Sequence, residues 1–455
     1  MRLLLINPSR YDDKGRLQKF RYGTFPPLNL LLLAGMLKNN KHVQIKVVDE
    51  FIEEIPFDGS FDLAAVTTIF TSSFPRVIDI CKSFRSRKIP VVLGGPHVTC
   101  SPEESRHYAD ALVLGEGEKI FPKLIDDFLT RKKLEPVYKN ESFLDLSRRP
   151  AVYPDYSLID LDKYFKIGFL KKSNYFALEA SRGCPMNCTF CCVKIIHGQR
   201  QRYKKIGSII EEIRFLKDKY NAYYFNFSDD NFFYDQNYYT ELLREVTKEK
   251  IRFHCEISPT ILKESNAISL LKEAGCASTF IGLETIDEHN LKSVKKGHNK
   301  IKYYKELIDR LTKNKIIACP AFIFGFDNDN SDTFLKVLDF LKKTKPARVH
   351  FSILTPLPGT KLHTDFVKEN RIFNDDYSFY DAAHAVFQPR NFSPAELENK
   401  FWKLYQQFYS YKELFLRLIK GEQNLILLTA TNLRAKKLVH KRLPTFSAGI
   451  KQISA

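Results

Sequence analysis

The 455-residue chain has no apolar run long enough to cross a membrane. Its longest, residues 28–37, is broken by Asn29 and Gly35 and falls well short of the ~18 residues a spanning helix needs. A secretory leader is also missing: Leu3 to Ile6 is too short for an apolar leader core and runs into Asn7-Pro8. Nine cysteines, odd in number and unevenly spaced, make no secreted disulfide framework. A reducing, cytoplasmic setting is therefore expected. The net charge of +18 comes without a basic block or a nucleic-acid-reading motif, so no nucleic-acid partner is expected. What is present, 44% hydrophobic and 27% charged residues, describes a folded chain whose length calls for two or three domains.

Residues 1–145 alternate short apolar runs with helical segments. Strands are expected at 2–6, 44–48, 63–67, 91–94 and 111–114, and a helix over 25–37 that starts on its prolines. That spacing is the pattern of a doubly wound parallel α/β sheet, which binds ligands at the carboxyl ends of its strands. Those ends carry Thr67, Thr68 and Thr71, then Gly94-Gly95-Pro96-His97, then Gly115-Glu116-Gly117-Glu118. Strand-end glycines let backbone approach a ligand closely, and each alone is equally a tight turn. Taken together they resemble the Rossmann-like cobalamin-binding domain that precedes the catalytic domain of cobalamin-dependent radical S-adenosylmethionine (SAM) enzymes. The resemblance implies cobalamin contacts from Thr67, Thr71, Gly94, Gly95, His97, Gly115, Glu116 and Gly117. No Asp-x-His-x-x-Gly motif occurs, so His97 is placed near the corrin edge and not on cobalt.

Beyond a linker, 146–170, the run 175–181 leads into Arg182-Gly-Cys-Pro-Met-Asn-Cys-Thr-Phe-Cys191. Cys184, Cys188 and Cys191 form a Cys-x3-Cys-x2-Cys loop that can wrap three corners of a [4Fe–4S] cube and leave the fourth iron open. A zinc site is the competing reading, but zinc commonly takes paired Cys-x2-Cys units, and Cys192 adjoins Cys191 too closely to converge with it on one ion. Residues 171–394 resemble the radical SAM superfamily throughout. The resemblance implies a partial (β/α)6 barrel in which SAM chelates the open iron and is cleaved to a 5′-deoxyadenosyl radical. Phe190 takes the position of the aromatic near the adenine. The segment 224–232 ends in Asp229-Asp230-Asn-Phe, either aspartate being a candidate for the SAM ammonium or a helix cap. Glu256 and Glu284 stand in apolar strands, where a carboxylate is costly unless paired or bound. Gly325 closes the strand that lies against SAM in that family. The remaining cysteines, 81, 100, 255, 276 and 319, read as small core residues.

A helical region, 395–455, follows, and its residues 403–455 carry ten lysines and arginines against Glu413 and Glu422. It is expected to cap the barrel or to lie on an anionic membrane. The whole implies a cobalamin-dependent radical SAM enzyme drawing electrons from a flavodoxin- or ferredoxin-type donor. Its substrate would be a small or lipid-like molecule and its reaction C-methylation. Cyclisation or ring rearrangement, and a non-catalytic corrinoid-binding redox sensor, remain open on these residues.

Overall fold

A computed structural model describes residues 1–23, 25–148, 152–164, 166–167, 173–419, 425–443 and 449–451. Its first sheet is built from β1 (Arg2–Asn7), β2 (Gln44–Asp49), β3 (Leu63–Thr67), β4 (Val91–Gly94), β5 (Ala111–Leu114) and β6 (Val137–Lys139). All pair in parallel, in the order β2-β1-β3-β4-β5-β6. Side chains alternate across a strand, and here both faces are covered. Leu3 and Leu5 join the larger core, while Leu4 and Ile6 pack with Phe74, Val77 and Ile80 of the helix Phe74–Arg85. The three-residue β6 was not foreseen. It is too short to carry an alternation, and only its pairing with β5 defines it.

The second sheet holds β7 (Lys166–Ile167), β8 (Ser173–Leu178), β9 (Tyr224–Phe227), β10 (Arg252–Ile257), β11 (Cys276–Glu284), β12 (Ile317–Phe324) and β13 (His350–Ile353). From β8 to β13 each strand pairs in parallel with the next in sequence, with helices between, which is the six-unit open barrel expected. The antiparallel β7 extends its edge.

The expected linker is no free spacer in its described part. Tyr156 is 2% exposed and meets Phe176 and Tyr220 edge-on. Tyr164 donates to Asp49 Oδ2 at 3.0 Å. A Cβ on Gly35 would stand 2.2 Å from the carbonyl oxygen of Tyr153, so only glycine lets this segment lie on the helix Leu28–Leu37. The larger core is accordingly continuous from β1 to the C-terminal helices. Those helices, Pro394–Phe408, Tyr411–Ile419 and Leu425–His440, close the β13 side of the barrel. A Ser393/Glu396 capping box starts the first of them. The Tyr405 hydroxyl accepts from Phe351 N at 2.7 Å. The tail is not wholly helical: Gly449–Lys451 pairs antiparallel with Phe20–Gly23. No described helix is long and apolar enough to cross a membrane.

Candidate active site between the two sheets

The cysteine loop leaves β8 and is anchored at its root. Asp229, 1% exposed, accepts from Ala180 N (3.1 Å), Ser181 Oγ (2.7 Å) and the Tyr239 hydroxyl (2.7 Å). Burial raises its carboxyl to about 6. With its oxygens engaged this way, Asp229 pins the root of the loop. Asp230 faces the loop instead, accepting from Gly183 N at 2.7 Å and bonding His197 Nδ1 at 2.9 Å. Gly183 has φ +90°, and a Cβ there would lie 2.4 Å from the Arg200 carbonyl oxygen, so the loop closes on itself only through glycine. Farther along, Thr189 N donates to Val294 O and Leu362 N to Thr189 O, tying the loop to the barrel.

Cys184, Cys188 and Cys191 are all free thiols. Cys188 senses the charge of Cys184, Cys191 that of Cys188, and all three that of Lys296. Burial pushes each thiol up, Cys191 to about 12, so a thiolate here depends on a cationic partner such as iron. Among the described residues no three His, Cys, Asp or Glu side chains draw together as ligands of one ion. Thiolates bound at separate corners of an iron–sulfur cube stand farther apart than the ligands of a single metal. Cys192 lies close enough to Cys100 for each thiol to shift the other. Cys100 is thereby placed on a cavity wall and not in the core.

Inside the barrel, Glu284 sits at a β-bulge with φ +67° and pairs with Lys296, whose ammonium also lies 5.9 Å from the Phe190 ring centroid. Lys296 was not foreseen, because it lies in a Lys-Lys-Gly turn that reads as solvated surface. Glu256 stands open in the lumen. The enclosing barrel wall, and then the charges of Asp230 and Glu284, raise its carboxyl to about 7 against the pull of Lys296. Three carboxylates against one ammonium make this lumen a fit for a cationic ligand, as SAM is. Gly325, φ +105°, donates its N–H to Asp329, and a Cβ would press on Leu397 and Phe387. These contacts shape the end of β12.

Between the strand ends of the first sheet and the barrel lies a cavity of ≈ 560 Å³. Thr67, Gly94, Gly95, Gly115, Glu116 and Gly117 line it, with Glu179, Arg182, Ile196 and His197 opposite, flanking the cysteine loop. Two features fit a large planar ligand carrying amide groups. Gly115, φ +74°, has nothing within 4 Å of where a Cβ would stand, so its backbone opens directly on the space. Asn29, also on the wall, donates to Thr67 Oγ1 at 2.7 Å and leaves its own buried Oδ1 without a partner, ready for an amide N–H. A lone asparagine in an apolar helix gives no sequence signal for that role. The Glu116 carboxylate is committed elsewhere, to Arg182, Arg202 and Leu144 N.

A smaller cavity, ≈ 270 Å³, lies beside the first, and Ile69, Phe70 and Pro96 border both. Its other walls include Cys100, Cys192, His350, Phe351, Leu357 and Phe401. Thr71 and His97, expected in the cobalamin site, belong to this second cavity. The helix Pro96–Cys100 carries His97 back against Phe74 (ring centroids 4.1 Å apart) and Tyr377, with Nδ1 3.3 Å from Thr71 Oγ1. Burial lowers its imidazole to about 4.

Comparison with known proteins agrees with this geometry. The Radical SAM superfamily matches residues 178–341, and the B12 binding domain matches residues 20–125. Bacteriochlorophyllide d C-12(1)-methyltransferase of Chlorobaculum tepidum is 30% identical over 398 residues, 86% of this chain and 84% of that protein. The chain belongs to the cobalamin-dependent radical SAM enzymes. The C-8(2)-methyltransferase of the same organism is 29% identical over 93% of this chain and 96% of its own. The methyltransferase TsrM of Kitasatospora setae, solved with cobalamin and a [4Fe–4S] cluster, shares the fold at a TM-score of 0.68 and 15% identity, covering 97% of this chain and 99% of that one. A [4Fe–4S] cluster, SAM and cobalamin are therefore the enzyme's cofactors.

Proposed function

We propose that the enzyme methylates an unactivated carbon of a small, largely apolar molecule held in the ≈ 270 Å³ cavity. The observation that carries this reading is the shared wall: Ile69, Phe70 and Pro96 separate that cavity from the larger one, while Cys192, next to Cys191, forms its opposite side. A molecule there would be flanked by both halves of the chemistry.

When bound, the cluster and SAM supply the radical and cobalamin carries the methyl group. The protein's part is placement. Cys184, Cys188 and Cys191 would hold three irons, and Phe190, Asp230, Glu256 and Glu284 would face SAM. Lys296 holds the Glu284 carboxylate in place through their ion pair. Thr67, Asn29 and the backbone at Gly94, Gly95, Gly115 and Gly117 would seat the corrin. The apolar walls Ile69, Phe70, Phe351 and Phe401 exclude water from the reacting carbon. Electrons would come from an external flavodoxin- or ferredoxin-type donor. Tyr411 and Phe415, 68% and 63% exposed at i, i+4 beside Lys436, suit a peripheral contact with anionic lipid. Lys420 and Glu422, counted in that basic tail, lie outside the described residues.

The test is the fate of SAM in anaerobic, reconstituted enzyme supplied with reductant, cobalamin and extract fractions as substrate source. Methylation produces S-adenosylhomocysteine and 5′-deoxyadenosine together. Cyclisation gives deoxyadenosine without S-adenosylhomocysteine, and that result would overturn the methylation reading.

A further inference from the structure

Several arginines shielded from water are matched with carboxylates, while the buried Arg417 is met by the neutral Phe408 O and Asn432 Oδ1 over the Phe408 ring. Arg76 meets the fully buried Glu50, Arg182 meets three glutamates, Arg202 meets Glu116, and Arg371 meets Asp327 and Glu369. Arg10 is different. It follows β1 by three residues, where the strand end turns over the smaller cavity, and it forms part of that cavity's wall. Its contacts are neutral and long: Nε to Gln18 Oε1 at 3.3 Å and Nη1 to Ser72 Oγ at 3.4 Å. Among the described residues no carboxylate comes within ion-pairing distance of it and Nη2 has no partner. Unlike Arg202 Nε, Nη2 is not sealed from solvent.

Asp381, the acidic residue on the same wall, does not supply the missing partner. Its Oδ1 accepts from Ala383 N (2.9 Å), His384 N (3.2 Å) and His384 Nδ1 (3.0 Å), which turns the carboxylate into its own loop. The rest of the wall sets Ile69, Phe70, Phe351, Leu357 and Phe401 among neutral polar side chains such as Thr71, Ser352 and Thr355, and carries no other acid. Burial lowers the Arg10 pKa, with Asp381 opposing weakly at a distance, but a guanidinium remains charged throughout the physiological range. A permanent cation facing a mostly apolar space is costly until an anion arrives, and the planar fork of donors matches a carboxylate edge-on.

We propose that Arg10 anchors a carboxylate on an otherwise apolar substrate, and so determines which molecules the smaller cavity accepts. With no lysine on the cavity wall, the planar fork of this single guanidinium suits a carboxylate edge-on, although the helix Phe74–Arg85 begins close by at Ser73 and phosphate is therefore tested beside it. The proposal rests on the smaller cavity being the substrate chamber. It deepens that assignment by naming the substrate class: an apolar body carrying at least one carboxylate. Arg10 would act as a specificity residue, holding the acid end so that the apolar remainder lies along Ile69, Phe70 and Phe351.

The test uses two probes of one shape, 2-naphthylacetate and the neutral 2-naphthylethanol, titrated by calorimetry into cluster- and cobalamin-loaded enzyme. The wild type is expected to bind the acid at least about tenfold more tightly than the alcohol. Arg10→Gln should abolish that preference and leave the alcohol unchanged, while Arg10→Lys keeps part of it. Melting temperature and retained cobalamin, equal across the three proteins, show that the variants fold. Equal binding of acid and alcohol by the wild type, no binding of the acid, or an undiminished preference in Arg10→Gln would each overturn the proposal. So would displacement of the acid by inorganic phosphate at concentrations where acetate does nothing. Binding needs no turnover, so these outcomes are independent of whether SAM yields S-adenosylhomocysteine, the result on which the methylation reading stands.

Discussion

Replacing Glu116 by glutamine separates two roles for a residue that lies on the cobalamin cavity. Its carboxylate is 5% exposed as part of the residue and accepts from Arg182 Nη1 (3.2 Å), Arg202 Nη2 (2.8 Å) and Nη1 (3.1 Å), and Leu144 N (2.7 Å). Glutamine keeps one acceptor oxygen and points an N–H₂ at donors already in place. Arg182 would retain Glu118 and Glu179, but Arg202 would be left with only the carbonyl oxygens of Leu144 and His197. Stranding a buried arginine costs about 3–5 kcal/mol, and with Arg182 still paired the lower end, ~3 kcal/mol, is expected. Because the network joins the β5 strand end to the cysteine loop, the loss should appear in urea unfolding of the cobalamin-free protein. The Glu116→Gln/Arg202→Gln double variant should recover part of it, with a coupling energy above ~1 kcal/mol. A stability change below ~1 kcal/mol together with weakened cobalamin binding would refute this reasoning and restore Glu116 as a direct cobalamin contact.

Three further outcomes follow from particular positions. Gly115→Ala places a methyl in the larger cavity at φ +74°, so cobalamin affinity should fall about tenfold or more, with only ~1 kcal/mol of strain in the unfolding free energy. Gly183→Ala drives a Cβ to 2.4 Å from the Arg200 carbonyl, and iron content after reconstitution should drop well below the about four atoms per chain of an intact cluster. Asp229 titrates near 6 in the folded protein because burial penalises its charge. A raised carboxyl contributes stability that is fully present below its unfolded value near 3.8 and is lost as pH rises through about 6. Asp229→Asn should therefore stand nearest the wild type below pH 3.8 and gain on it up to about pH 6, melting higher at pH 8, and identical pH profiles for the two proteins would contradict the assignment.

Much of this architecture was legible because it depends on local pattern. Apolar runs ending at glycine or Asn-Pro marked the strands, and the spacing of Cys184, Cys188 and Cys191 marked the loop. What escaped the sequence depends on distant residues meeting. Asp229 and Asp230 are neighbours in the chain, yet one is buried on Ser181 and Tyr239 while the other faces Gly183 and His197. His97 follows two strand-end glycines that line one cavity, but a short helix delivers it to the next. The tyrosines of 153–164 resemble a spacer until Gly35, Asp49 and Phe176 are seen beneath them. Lys296, Asn29 and Arg10 carry no motif, and their roles come from what they face or from what is missing around them.

The chemistry requires that the cavity on the first sheet and the cysteine loop of the barrel face one another across one site. It is tested most directly by electron paramagnetic resonance of the enzyme holding cob(II)alamin and the reduced cluster together, each carrying one unpaired spin. The geometry predicts mutual broadening or splitting of the two signals, lost when Cys184, Cys188 and Cys191 are replaced by alanine. Two unperturbed, simply additive spectra from fully loaded protein would contradict it.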